Sequence, residues 1–321
     1  MHVAFSRNIR EFTMPSRILS TSEHDKFMTR ILLQTTIVGA EDDWNIDRYS
    51  LIRDYLASLR NERDEPLYAV TARNREPDRN GNDPILSGLS DSDFDEIWLF
   101  AADSGNGLSR SDCAGVGGFR QRGGGILVAR DHEDAGSSVC TLAGVGDAHY
   151  FHSRNPDPDV SHRCVDDTET TTISWPNYHS GRNGDFQRIT PVEPVHELLH
   201  SPDSSTGHIE LFPAHPHEGG IGVPAAEPHA RVIATGRSKV TSRQFNLIVA
   251  FESTTDNKHN QVGRALAHSS FHHFADYNWD VDLGCPSFVA ERPGGGMKQN
   301  SRALADIRTY VSNAARWLSR R

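Results

Sequence analysis

The sequence predicts an α/β fold, flavodoxin-like, in which a mostly parallel central sheet carries helices on both faces. Three observations predict it. Short apolar runs alternate with stretches of helical period through the first half of the chain, the order that winds a parallel sheet through right-handed crossovers. The stretch GGGILVARDHEDAG, residues 123–136, joins three glycines, a buried-strand-length run from Ile126 to Ala129, then Arg130 and the four titratable residues Asp131 to Asp134. Near the end, Leu304, Ile307, Tyr310, Val311, Ala314 and Leu318 recur at three- and four-residue intervals and predict a closing amphipathic helix.

Taken in order, residues 1–28 show no sustained period and read as a flexible N-terminal extension. Residues 29–321 contain no repeat and no linker, so a single domain is expected. ILLQTTIV, Ile31 to Val38, is rich in β-branched residues and predicts the first buried strand, with a polar loop over 39–45 at its carboxyl end. Tyr49, Ile52, Tyr55, Leu56 and Leu59 keep helical spacing. Leu67 to Thr71 and Ile97 to Ala101 predict two more strands, the second delivering Asp103 to the carboxyl edge. A helix follows over about 109–121, opened by the capping-box order of Ser109 and Asp112. The central strand Ile126 to Ala129 leads to an expected helix over 135–142. Residues 144–194 form a long polar insertion, a functional segment or lid, holding His149, His152, His162 and His179 as solvated or lid residues. Apolar runs at 209–212, 232–233, 246–251 and 264–269 predict the remaining strands, the last pair antiparallel.

The 321 residues carry 33 Lys and Arg against 43 Asp and Glu, a formal charge of −10. Phosphate neutralisation requires a concentrated basic surface, so nucleic acid is not an expected partner. Four cysteines form no CxxC pair and no disulfide framework. No run approaches the roughly 20 apolar residues of a membrane span, and the first 28 residues lack an apolar signal core. The expectation is a soluble cytoplasmic protein, with no membrane partner, that takes a small molecule; homo-oligomerisation stays open.

Three clusters concentrate the titratable groups: Asp131 to Asp134 (DHED), His215 to Glu218 (HPHE) and His272 to Asp276 (HHFAD). Each follows a strand-like run, and in open α/β sheets ligands sit beyond the carboxyl ends of the strands. Imidazole and carboxylate brought together there serve as acid and base near neutral pH, or bind a divalent metal that readies a water. Asp131, His132 and His272 are the candidate catalytic residues. Asp103, Arg130, Glu133, Glu218 and His273 are candidates for holding substrate. His215 and His217, pointing the same way on an extended segment, are candidate ligands for zinc, iron or manganese. The competing reading of Asp131 is a helix cap, and of the histidines, hydrogen-bonded structural groups. Of the adjacent His272 and His273, alternation sends one toward the site. The glycines at 115–118 and 123–125 fail the strand-to-helix context of a phosphate loop, and no GxSxG elbow exists.

The order of elements resembles the class I glutamine amidotransferase-like superfamily, and especially its ThuA-like branch. ILVARD lines up with the strand leading to the family's nucleophilic cysteine and places Asp131 at that position. SSFHHF is similar to the late strand ending in the catalytic histidine and places His272 there; the likeness spans about Arg30 to Asp280. The resemblance implies the fold and, through the ThuA-like branch, sugar metabolism. With a carboxylate in place of the thiolate, and Phe274 where an acid is expected two positions after the histidine, it does not imply glutamine hydrolysis. The expected function is an enzyme on a small polar metabolite, such as a carbohydrate derivative, of hydrolase or lyase/isomerase type without a cysteine nucleophile. The alternative is a non-catalytic binding or sensing module on the same, degenerate fold.

Overall fold

The computed structural model describes residues 28–319 apart from 143, 164, 167–172, 174–176 and 258. The expected N-terminal extension lies, save for residue 28, outside the described residues. Eight strands make one sheet: β1 Thr29–Val38, β2 Tyr68–Arg75, β3 Glu96–Phe100, β4 Gly125–Ala129, β5 Thr190–Pro191, β6 Ala230–Arg237, β7 Gln244–Phe251 and β8 Ala265–His268. Their spatial order is β2-β1-β3-β4-β8-β7-β6-β5. The first five of that order are mutually parallel, with the flavodoxin-like reversal between β1 and β3. The last three then run antiparallel, each to its neighbour.

The continuous apolar runs follow from burial on both faces. In β1, Ile31 and Leu33 point into one core and Leu32 into the other; in β3, Trp98 and Phe100 oppose Ile97 and Leu99; in β4, Leu127 and Ala129 oppose Ile126 and Val128. The first core is covered by α1, Ser50–Ser58, and by α3, Ser301–Leu318, which contribute Ile52, Leu56, Ile307, Tyr310, Val311 and Ala314. The second is covered by α2, Arg110–Gln121, through Cys113, Val116 and Phe119. The capping box read from the sequence opens α2. Asp112 N–H donates to Ser109 Oγ at 3.0 Å, and Ser109 N–H donates to Asp112 Oδ2 at 2.9 Å. Asp112 also takes Arg75 Nη2 at 2.8 Å, which ties the helix start to β2.

Several expectations are corrected. The helix expected over 135–142 is only a 3-10 turn, Ser137–Thr141, because Gly136 enters it in the left-handed region at φ 86°. The strand expected over 209–212 is Leu211–Pro213 and pairs with Phe186–Arg188 outside the main sheet. The expected insertion is no detached lid in its described part, since Asn177–Tyr178 pairs with Glu218–Gly219 and β5 joins the sheet edge. Within it His149 is wholly buried rather than solvated, whereas His152 pairs with Glu133 at 3.5 Å and His162 with Asp157 at 3.0 Å. Asp276, grouped with the late histidines by sequence, instead caps α1. Its carboxylate accepts from Ser50 N–H at 2.9 Å and Leu51 N–H at 2.8 Å. Among the described residues, no helix is long and apolar enough to cross a membrane.

Candidate metal centre

Because β4 and β8 are parallel neighbours with Ala129 opposite His268, both chains leave the sheet at the same edge. Asp131 follows β4 by two residues. A tight turn then closes with Ala135 N–H on His132 O at 2.9 Å, and Glu133 takes φ 47°. After β8 the chain makes a 3-10 turn, Phe271–His273, initiated by Ser270 Oγ accepting from His272 N–H at 3.1 Å. The third segment is also a turn rather than the extended run expected, because Pro216 bends the chain between His215 and His217.

These turns bring Asp131, His215 and His272 together, all buried. Asp131 Oδ1 stands 3.7 Å from His272 Nε2 and 4.0 Å from His215 Nε2, and the two imidazoles stack with ring centroids 3.7 Å apart. Oδ1 is buried without a hydrogen bond, and none of the hydrogen bonds at Asp131 is that of a helix cap. Burying a carboxylate oxygen this way is costly unless a cation or donor meets it.

The far side of each ring is engaged. His272 Nδ1 lies 3.0 Å from Asn278 Oδ1, whose amide nitrogen donates to Asn183 Oδ1 and to Ala214 O, each at 2.9 Å. An amide oxygen only accepts, so Nδ1 of His272 carries the proton and Nε2 offers a lone pair toward Asp131. His215 Nδ1 shares a hydrogen bond with Ser270 Oγ at 3.1 Å, and Ser180 Oγ accepts from His215 N–H at 2.9 Å. Trp44 closes the wall, its ring meeting His272 edge-on at 4.6 Å. Burial pushes the His272 imidazolium down to about 4 and His215 well below the usual histidine range, so both rings are neutral at pH 7. Ser270 and Asn278 carried no signal in the sequence beyond flanking HHFAD, and Ser180 and Trp44, far from every cluster in sequence, carried none.

The other sequence candidates divide. His132 Nε2 lies 3.8 Å from Asp131 Oδ2, and at 27% side-chain exposure His132 is more open than Asp131, His215, His217 or His272. Its ring sits 5.2 Å from that of His217, whose Nε2 is 3.0 Å from Glu291 Oε1. His217, expected to join His215 on a metal, is thus beside the triad, and Asp131 and His272 take the positions next to His215. Both His272 and His273 are buried, but they serve different groups. His273 Nε2 binds Glu218 Oε1 at 3.1 Å, and Glu218 further accepts from Ser180 Oγ at 2.9 Å, Gln187 Nε2 at 2.6 Å and Ser269 Oγ at 2.7 Å. With neither residue exposed, Glu218 and His273 brace the loop instead of meeting substrate as expected. Asp103 is likewise committed to its own chain, accepting from Thr36 Oγ1 at 2.7 Å, Ser138 Oγ at 2.8 Å and Gly105 N–H at 2.8 Å. Glu133 stays at the surface with His152.

Arg130 is the largest departure. Its guanidinium is fully buried over the Phe151 ring, 4.2 Å from the centroid, and donates to Glu133 O at 2.5 Å. Burial lowers it to about 9, and a Cβ at Gly219 would run into it. It supports the turn from beneath and does not present itself to a ligand. Nearby His149 is pushed down to about 3 by burial first and by the Arg130 charge second. Below an ordinary histidine value of 6.5, the unfolded chain takes up a proton that the folded chain refuses, so stability falls as pH drops from 6.5 toward 3 and is unaffected above. Urea midpoints measured from pH 7 to 4.5 should therefore drop less steeply in His149→Leu, by about 1.4 kcal/mol per pH unit below 6.5. Equal slopes would show that His149 is protonated in the fold.

No family model matches the chain, and no curated protein matches it by sequence. Among solved structures it is similar to several chains at 10–13% identity. One is a ThuA-like protein from Parabacteroides merdae, at 12% identity over 91% of this chain and 90% of that one, with a TM-score of 0.47. Another is the glutaminase domain of Trypanosoma brucei CTPS, with acivicin bound, at 13% identity over 90% and 94%, TM-score 0.42. A third is the N-terminal domain of mmIFT52, at 10% identity over 77% and 89%, TM-score 0.43.

Proposed function

We propose that this chain is a metal-assisted enzyme acting on a small polar metabolite, of hydrolase or lyase/isomerase type, with Asp131, His215 and His272 as the protein ligands of a divalent ion. The supporting observation is the buried Asp131 Oδ1, without a hydrogen bond, faced by two neutral imidazole nitrogens whose opposite nitrogens are held by Asn278 and Ser270. That is the outer support that orients metal-binding histidines. Separations of 3.7 and 4.0 Å exceed the edge of about 3.4 Å that tetrahedral bonds of about 2.1 Å give. A movement of a few tenths of an ångström closes the difference. Two imidazoles and a carboxylate without thiolate suit zinc, iron or manganese.

A bound ion of this kind polarises a substrate oxygen and lowers the pKa of a coordinated water. The chain's own part is to hold the three ligands, to keep water from the far side of the rings through Trp44 and Phe271, and to leave His132 on the open side where substrate arrives. Carbohydrate derivatives, the class implied by the ILVARD and SSFHHF resemblance, head the substrate panel.

Elemental analysis and metal titration of the purified protein test this reading. Stoichiometric zinc, iron or manganese is expected in the wild type, with affinity about 10- to 100-fold weaker in Asn278→Ala, which frees the His272 ring. A wild type that binds none of the three, as purified or on reconstitution, would overturn it.

A further inference from the structure

On the face of the sheet opposite α1 and α3, a cavity of about 680 Å³ lies between α2 and the 3-10 turn Ser137–Thr141, a volume that suits a small-molecule ligand. Asp131, His215 and His272 take no part in its walls, so it is separate from the metal centre. Leu108, Val116, Ile126, Leu142 and Val145 make those walls apolar, and Cys113 Sγ and Thr141 Oγ1 on them hydrogen-bond at 2.8 Å. The charged side chains that line it are Arg110 and Arg120, with no acid among them, in a chain of formal charge −10. Among the glycines of α2, Gly115 answers to packing, since a Cβ there would overlap Leu86 O. At Gly117 a Cβ would meet nothing within 4 Å, and Gly117 lines the cavity. Glycine inside a helix weakens it relative to alanine, and no neighbour requires this one. Its effect is to widen the cavity.

Arg120 is an independent sign of a ligand. It is only 8% exposed, sets its guanidinium 5.3 Å from the Phe251 ring centroid and donates from Nε to Gly263 O at 3.0 Å. Among the described residues its two Nη groups make no hydrogen bond, and Glu227, the acid whose charge acts on it, forms no ion pair with it. A buried cation with its outer donors unmet is costly unless an acceptor reaches them. We infer that this cavity binds a small amphipathic anion, an apolar carboxylate, whose body fills the space beside Gly117 and whose carboxylate meets the Arg120 guanidinium. A planar guanidinium matches a carboxylate through charge-assisted, bidentate hydrogen bonds. The apolar walls disfavour a compact hydrated anion such as inorganic phosphate, and a neutral apolar guest would leave Arg120 uncompensated. Arg110 and Thr141 are exposed at the rim, where the ligand enters. The site does not depend on a metal at Asp131, His215 and His272.

The test is isothermal titration of the full chain with octanoate and with octanol, which share a tail and differ in charge. The wild type should bind one octanoate per chain, about 10-fold more tightly than octanol. Gly117→Leu fills the space and should abolish binding of both, while melting no lower than the wild type because leucine favours a helix over glycine. Arg120→Met, which keeps the length and removes the charge, should bring octanoate down to the affinity of octanol. Asp131→Asn should bind octanoate like the wild type. A wild type that binds no octanoate, or binds it no better than octanol, would overturn the inference without any variant. Octanoate binding that survives in Gly117→Leu and is lost in Asp131→Asn would place the carboxylate on the metal centre, and would overturn the cavity site while leaving that centre in place.

Discussion

Asp131→Asn is expected to lose metal affinity by more than about 100-fold, since even the supporting partners of a ligand are worth 10- to 100-fold, and to lose turnover with it. The metal-free variant should be no less stable than the metal-free wild type. The wild-type carboxylate is buried with Oδ1 lacking a hydrogen bond, a burial cost that the neutral amide of the same volume reduces. Isothermal titration with zinc and thermal melting of both metal-free proteins separate these effects. A variant that binds zinc like the wild type but melts far lower would make Asp131 a structural group.

Glu218→Ala should produce the largest loss of stability, about 3–5 kcal/mol, because it leaves Ser180, Gln187, Ser269 and His273 facing a buried space with their acceptor gone. The urea midpoint measures it. Glu218→Gln, which keeps one acceptor oxygen, should recover part of the loss. Since Ser180 also carries the backbone of His215, the alanine variant should bind metal less tightly as a consequence of a loosened loop. A midpoint within about 0.5 kcal/mol of wild type would contradict the bracing role.

The strands were legible in the sequence because both faces of the sheet are buried, so ILLQTTIV, IWLF and GILVA read as mostly apolar, β-branched or aromatic runs without strict alternation. The convergence of DHED and HHFAD was legible too, because parallel strands release their loops at one edge. What could not be read is how each side chain spends its hydrogen bonds, since the partners come from distant segments. Asp103 is consumed by Thr36 and Ser138, and Arg130 is buried over Phe151. Period alone placed His215 and His217 on one face of an extended chain, whereas Pro216 turns the chain and sends them to different neighbours. A 3-10 turn likewise replaced strand alternation at His272 and His273, so both are buried, one beside Asp131 and the other on Glu218. The site also lies beyond β4 and β8, not at the reversal between β1 and β3 where this strand order commonly binds ligands; at that reversal Thr36 donates to Asp103.

An anomalous-difference map from crystals of the zinc- or manganese-loaded protein, collected at the metal's absorption edge, tests the central claim most directly. The account predicts a peak within about 2.0–2.2 Å of His215 Nε2, His272 Nε2 and Asp131 Oδ1. A flat map at that point, with the bound metal located on other side chains, would contradict it.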